Sequence, residues 1–274
     1  MLGLGSGIGG YVGGYSDPSS FSGLALWLGF NQGVAANKNS GGTSVTHSTT
    51  AGNMAHNDKI HQWDDKSGNS NHAVQTTKDE DRPRWDTSGG GADTGAIKFS
   101  NNAKFMNLTS NIELTGAFTI MMRVRFDGTI DNRCIIGNSA TDVVKIVDAD
   151  KINLIIGGSD TSIFEDTSAT DIPNGDNTKR QIITVTRDGS NNLKVYVNGG
   201  TSAGGWNNEQ DDVDWDSGES HTDSDTLTIG NIGTSADDTS NHNGHIYDVL
   251  VYDGTVLNAA DRKLNYDYLN SQTV

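Results

Sequence analysis

Paired carboxylates are the first chemistry to look for in a chain with 35 Asp+Glu. Glycoside hydrolysis needs two of them about 5–10 Å apart across a cleft. On a strand they would read as a Glu-x-Asp-x-x-Glu type of run, alternate residues facing the groove. The glutamates are Glu80, Glu113, Glu165, Glu209 and Glu219, and none lies in such a run. Glu209-Gln210-Asp211 comes nearest, in a polar stretch. No Gly-x-Ser-x-Gly elbow presents a serine nucleophile. Cys134 sits in the apolar run Cys134-Ile135-Ile136, the setting of a buried, inert thiol. From these patterns the chain is expected not to be an enzyme.

Metal and sugar chemistry have more to work with. Asp212, Asp214 and Asp216 alternate, followed by Gly218 and by Asp223 where a calcium loop has its last ligand. Ser217 occupies the sharp-turn glycine position and Asp223 replaces glutamate, so a solvated acidic loop is the competing reading. Trp206 and Trp215 fall in a loop-rich stretch and are candidate glycan platforms, or else fold over the body or enter a subunit contact. Trp27, Trp63 and Trp85 lie on or beside strand patterns and are expected in the core. Lys78, Arg82 and Arg84 interleave with Asp79, Glu80 and Asp81 as a solvated mixed loop. His242 and His245 straddle Asn243-Gly244, a turn.

These residues must be held by short strands. Apolar and β-branched segments recur between turn signals. Phe118, Ile120, Met122, Val124 and Phe126 share one face, with Thr119, Met121, Arg123 and Arg125 on the other. Residues 181–187 run through Asp188-Gly189 into 193–199, a hairpin. Near the end, Asn258 can cap a helix with Asp261 in its first turn and Ala260, Leu264 and Tyr268 on one face. The expectation is an all-β body of two antiparallel sheets packed face to face, spanning residues 20–274, with a short C-terminal helix.

Composition agrees and excludes some partners. The chain has 274 residues, 34 of them Gly, with 33% hydrophobic residues and a net charge of -16. A charge of that sign argues against wrapping nucleic acid and against adhesion to anionic lipid. No apolar run approaches the roughly 20 residues of a membrane helix, and the start does not read as a secretory signal. Residues 1–19 form a Gly-rich arm whose Leu2, Leu4, Ile8, Tyr11, Val12 and Tyr15 are apolar enough to bury against a partner subunit on assembly, a floppy start being the alternative.

Segments in order resemble the concanavalin A-like lectin/glucanase superfamily, and within it the laminin-G-like jelly-roll modules found in bacterial and phage proteins. They are 24–30 (LALWLGF), 63–73 (WDDKSGNSNHA), 184–189 (TVTRDG) running on to 195–199 (VYVNG), and 244–252 (GHIYDVLVY). The Gly-rich start is similar to small structural proteins of tailed marine phages. The resemblance implies a two-sheet jelly roll. It further implies a non-enzymatic virion protein, made in the host cytoplasm and displayed on the capsid surface. Such a protein would dock on other virion proteins through the arm and contact host glycans. A free or secreted carbohydrate-binding lectin module is the alternative. It also implies a structural calcium between the Ser-Gly-Asn turn and the last long strand. The matching positions are Asp65, with Asn69 or Asn71, and Asp248, while Gly29 stands where an acidic residue is common. Asp65 capping the turn through local backbone is the other reading.

Overall fold

A computed structural model describes residues 16–29, 33–37, 44–47, 54–76, 79–87, 95–100, 104–127, 132–139, 141–148, 151–165, 180–199, 221–233 and 241–272. In chain order the strands are β1 (Leu24–Leu28), β2 (Val34–Asn37), β3 (Ser44–His47), β4 (Lys59–Trp63), β5 (Ala73–Val74), β6 (Arg84–Asp86), β7 (Ala96–Phe99), β8 (Met106–Leu114) and β9 (Phe118–Phe126). They continue as β10 (Arg133–Ser139), β11 (Asp142–Asp148), β12 (Lys151–Ile156), β13 (Ser159–Glu165), β14 (Gln181–Arg187), β15 (Asn192–Gly199), β16 (His221–Thr222), β17 (Leu227–Ile232) and β18 (Gly244–Asp253). A helix, α1 (Ala259–Ser271), ends the described chain. No helix among the described residues is long and apolar enough to cross a membrane.

Every described ladder is antiparallel, and together they link into one 18-stranded network. Two runs can be followed within it. One passes β6–β7–β18–β9–β14–β15, with β1 also paired to β18. The other passes β5–β8–β17–β10–β11–β12–β13. β4 pairs with both β5 and β6 and so joins the runs.

The period-2 alternation of β9 sets the packing. Ile120, Met122 and Val124 enter a large apolar cluster with Ile183, Val185 and Val249 of the first run and Ile135, Val144, Ile152, Leu154 and Ile229 of the second. Each such side chain contributes about 2 kcal/mol on burial. Trp63, Trp85 and Phe99 are buried in the same cluster, and Cys134 is buried as well. Trp27 is buried on the opposite, outer side of the first run.

That outer side is covered by α1. Met121, Ile182, Leu250 and Tyr252 pack there with Trp27, Leu257, Tyr266 and Leu269. Asn258 caps the helix by accepting from Asp261 N at 3.0 Å. Of the expected Ala260, Leu264 and Tyr268, Tyr268 packs against this cluster, edge-on to Trp27, but the buried face itself differs. It is Arg262, Asn265, Tyr266 and Leu269. Polar residues take this face because the sheet and the β18–α1 connection offer them partners. Arg262 Nη1 donates to Leu257 O at 2.8 Å and its guanidinium lies 4.0 Å from the Tyr196 ring centroid. Asn265 Oδ1 accepts from the Tyr252 hydroxyl at 2.9 Å. At the other end Arg123 Nη1 donates to Leu269 O, at the helix's negative pole.

Candidate functional site: a polar row on the outer face

Beyond the end of α1 the outer face of the first run turns polar. Register puts Arg84 of β6 opposite Lys98 of β7, Lys98 opposite His245 of β18, and His245 opposite Arg125 of β9. Basic residue types thus stand abreast across adjacent strands, which is unfavourable without counter-charge. Asp86, ending β6, and Asp127, just past β9, supply it.

His245 is the centre of this row. Its Nε2 lies 2.9 Å from Asp86 Oδ2, its Nδ1 3.5 Å from Asp127 Oδ1, and Arg125 Nη2 stands 2.9 Å from Nδ1. Lys98 Nζ reaches both carboxylates, at 2.9 Å from Asp127 Oδ2 and 3.7 Å from Asp86 Oδ2. His56 Nδ1 approaches Asp86 Oδ1 at 3.2 Å. Access is graded: the His245 and Asp86 side chains are 0% and 5% exposed, Asp127 20%, Lys98 37% and His56 44%. Burial acts to raise the Asp127 carboxyl, but hydrogen bonding and charge from His245 and Lys98 prevail and hold it well below the ordinary carboxylate range. Asp127 is therefore an ionised, partly open acceptor. The shared ammonium keeps the two carboxylates closer than the about 10 Å that bounds glycosidase pairs. Acceptors and an ammonium donor side by side can also bind vicinal hydroxyls.

The sequence reading placed its candidates elsewhere. Asp65 is saturated inside its own turn: Oδ1 accepts from Trp27 N (2.9 Å) and Ser67 N (2.9 Å), and Oδ2 from Ser67 Oγ (2.8 Å) and Asn71 N (2.9 Å). Ser67 Oγ, Asn69 Nδ2 and Asn71 Nδ2 all donate to Ala25 O, at 3.2, 3.3 and 3.0 Å. Ala25 sits where the β1–β18 register slips, so the Ser-Gly-Asn turn fastens the strand at its irregular point. Asp248 instead pairs with buried Arg123, 2.6 Å from its Nε. The two aspartates spend their oxygens on different partners, and among the described residues no group of three or more His, Cys, Asp or Glu converges as metal ligands. Asp223 Oδ1 accepts from Asp225 N at 2.7 Å. Asp212, Asp214, Asp216, Trp206, Trp215 and the arm residues Leu2, Leu4, Ile8, Tyr11, Val12 and Tyr15 lie outside the described residues.

Sequence reasoning missed the row because His56, Asp86, Lys98, Arg125, Asp127 and His245 are scattered along the chain. One signal was there: β9 turns Arg123 and Arg125 away from its apolar face. Buried cations on a long strand need carboxylates nearby.

No protein-family model matches the sequence, and no curated protein matches it. In fold the chain is similar to an arabinofuranosidase complexed with arabinofuranosyl-α-1,2-xylobiose, with a TM-score of 0.55 at 13% identity over 90% of this chain and 59% of that one. It is similar also to a mutant GH54 α-L-arabinofuranosidase soaked with 4-nitrophenyl α-L-arabinofuranoside, with a TM-score of 0.55 at 14% identity over 93% of this chain and 61% of that one. The chain thus spans about six-tenths of those chains' length. At such identity the likeness is one of fold. It corrects the expectation that the chain is not an enzyme: a fold covering 90% of it is one that glycoside hydrolases carry. That expectation required both carboxylates on one strand, whereas here Asp86 and Asp127 are brought together from separate strand ends.

Proposed function

We propose that the chain engages carbohydrate through the open rim of the polar row, at Asp127, Lys98 and His56. In this reading its two strand runs face each other as the layers of a concanavalin A-like jelly roll. The observation that carries it is the pair of carboxylates sharing one ammonium on the exposed flank of the first run. The fold likeness to arabinofuranosidases supports it and points to pentose-containing polysaccharides as the first ligands to try. The proposed setting is the surface of a larger assembly, a tailed-phage virion. The laminin-G-like segments and the apolar-glycine residues 2–15 support that setting, and immunogold labelling of intact virions tests it.

Affinity electrophoresis in arabinoxylan, arabinan and a panel of other glycans tests the site. Retention by at least one glycan is expected, weakened about ten-fold or more in Asp127→Asn and in Lys98→Ala, since charged hydrogen bonds contribute about 1.5–3 kcal/mol each. Released sugar measured in the same incubations reads out hydrolysis. Retention by no glycan, or retention untouched by both substitutions, overturns the reading.

A further inference from the structure

The segment 241–245 carries one histidine to each side of the first run. His245 enters the polar row. His242 goes the other way, into a slot between Phe99 and Phe126, with ring centroids 6.1 and 5.2 Å away and both contacts edge-on. Its ring is fully buried. Nε2 lies 3.4 Å from His245 O, and Nδ1 has no hydrogen-bond partner among the described residues. An imidazole so placed fits the slot only while neutral, because an imidazolium would bury a charge against two hydrocarbon rings.

The same segment holds Asp127. Asn243 Nδ2 donates to Asp127 O at 2.6 Å, and Asp127 N donates to Asn243 O at 2.9 Å. Clearance is small at both ends. Gly244, at φ +148°, runs so close to β9 that a Cβ would stand 2.0 Å from Arg125 O. Gly233, whose carbonyl accepts from His242 N at 2.7 Å, lies so close to Phe99 that a Cβ there would stand 2.3 Å from Phe99 Cδ1. The backbone on either side of His242 is therefore seated tightly against β9 and Phe99.

We propose that residues 241–244 are an acid-released latch: charging His242 expels its ring from the Phe99–Phe126 slot, and the segment that leaves with it unclamps Asp127 from the polar row. Asp127 just past β9, Arg133 of β10 and His245 of β18 act electrostatically on His242, while Arg125 and Lys98 stand in the polar row on the other side, beside His245 and Asp127. Arg133 and His245 oppose a positive charge on His242, and only Asp127 and the His245 carbonyl favour it. Burial outweighs both and pushes the imidazole down to about 3. Asp127 stays ionised through mild acid, so its own titration does not mimic the release. The consequence for ligand rests on the carbohydrate reading above; the latch itself does not.

Hydrogen exchange of the full chain, dilute and without sugar, tests the latch from about pH 7 to about pH 4. After correction for intrinsic rates, protection of residues 241–247 is expected to fall about ten-fold or more toward acid while residues 181–187 stay protected. In His242→Phe the slot remains filled by an uncharged ring, and protection of 241–247 should no longer depend on pH. His242→Gln serves if that ring is too large, and the wild-type profile decides alone if neither variant folds. Constant protection in the wild type overturns the latch, as does an equal acid loss in a folded variant. No sugar is present, so failure of the carbohydrate reading leaves this result standing.

Discussion

At Asp65 one carboxylate satisfies three backbone amides and a hydroxyl, tying the Ser-Gly-Asn turn to β1. Replacement by alanine strands those donors and is expected to cost about 3 kcal/mol, since buried unmet donors cost about 1–3 kcal/mol each and some rehydrate. Urea denaturation measures it, and a loss below about 1 kcal/mol would show that water replaces the carboxylate freely. His242 makes the global counterpart of the latch. Its folded pKa is lowered from 6.5 to about 3, so in mild acid the unfolded chain binds a proton that the folded chain refuses. The stabilisation is complete above pH 6.5 and drains away as pH falls toward 3, by up to about 1.4 kcal/mol per unit. Equilibrium unfolding across that range should show the slope in the wild type and a shallower one in His242→Phe. The tryptophan core and the turn at Asp65 were legible in the sequence because both are local patterns. The Asp86–His245–Asp127 contact was not, because no short-range signal ties residue 86 to residue 245.

The elements most in tension are α1 and the strands beneath it. Arg123 is wholly buried between Asp248 and Leu269 O. Arg123→Met keeps the length and removes the charge, leaving Asp248 buried beside no cation from β9. A loss of about 3–5 kcal/mol is expected. Arg123→Met combined with Asp248→Leu should recover much of it, because exchanging a buried pair for apolar residues is often close to neutral. Denaturation of the single and double variants decides; a double variant no better than the single one would mean that the pair is worth more than its volume. Element boundaries followed from alternation along β9 and from the hairpin at Asp188-Gly189. The helix face did not, since apolar spacing favoured Ala260, Leu264 and Tyr268, while the sheet supplied Tyr196 and Tyr252, and the β18–α1 connection Leu257 O, as partners for Arg262 and Asn265.

Over the whole molecule, the charge of -16 and pI ≈ 4.6 dominate behaviour in solution. Solubility should pass through a minimum near that pI and rise again on either side, as light scattering against pH would show. The latch measurements must therefore stay dilute in this range. Alternation, turn residues and sparse apolar content determined that this chain builds β-strands, which residues face its core and which side chains close its most regular turn, because those choices depend on neighbours two to seven residues away. Only the tertiary structure decided which strands lie abreast, and with that which charges must meet. Strand order joins residues far apart in the chain, so the Asp86–His245–Asp127 row and the slot that keeps His242 neutral arise from packing that no local pattern encodes.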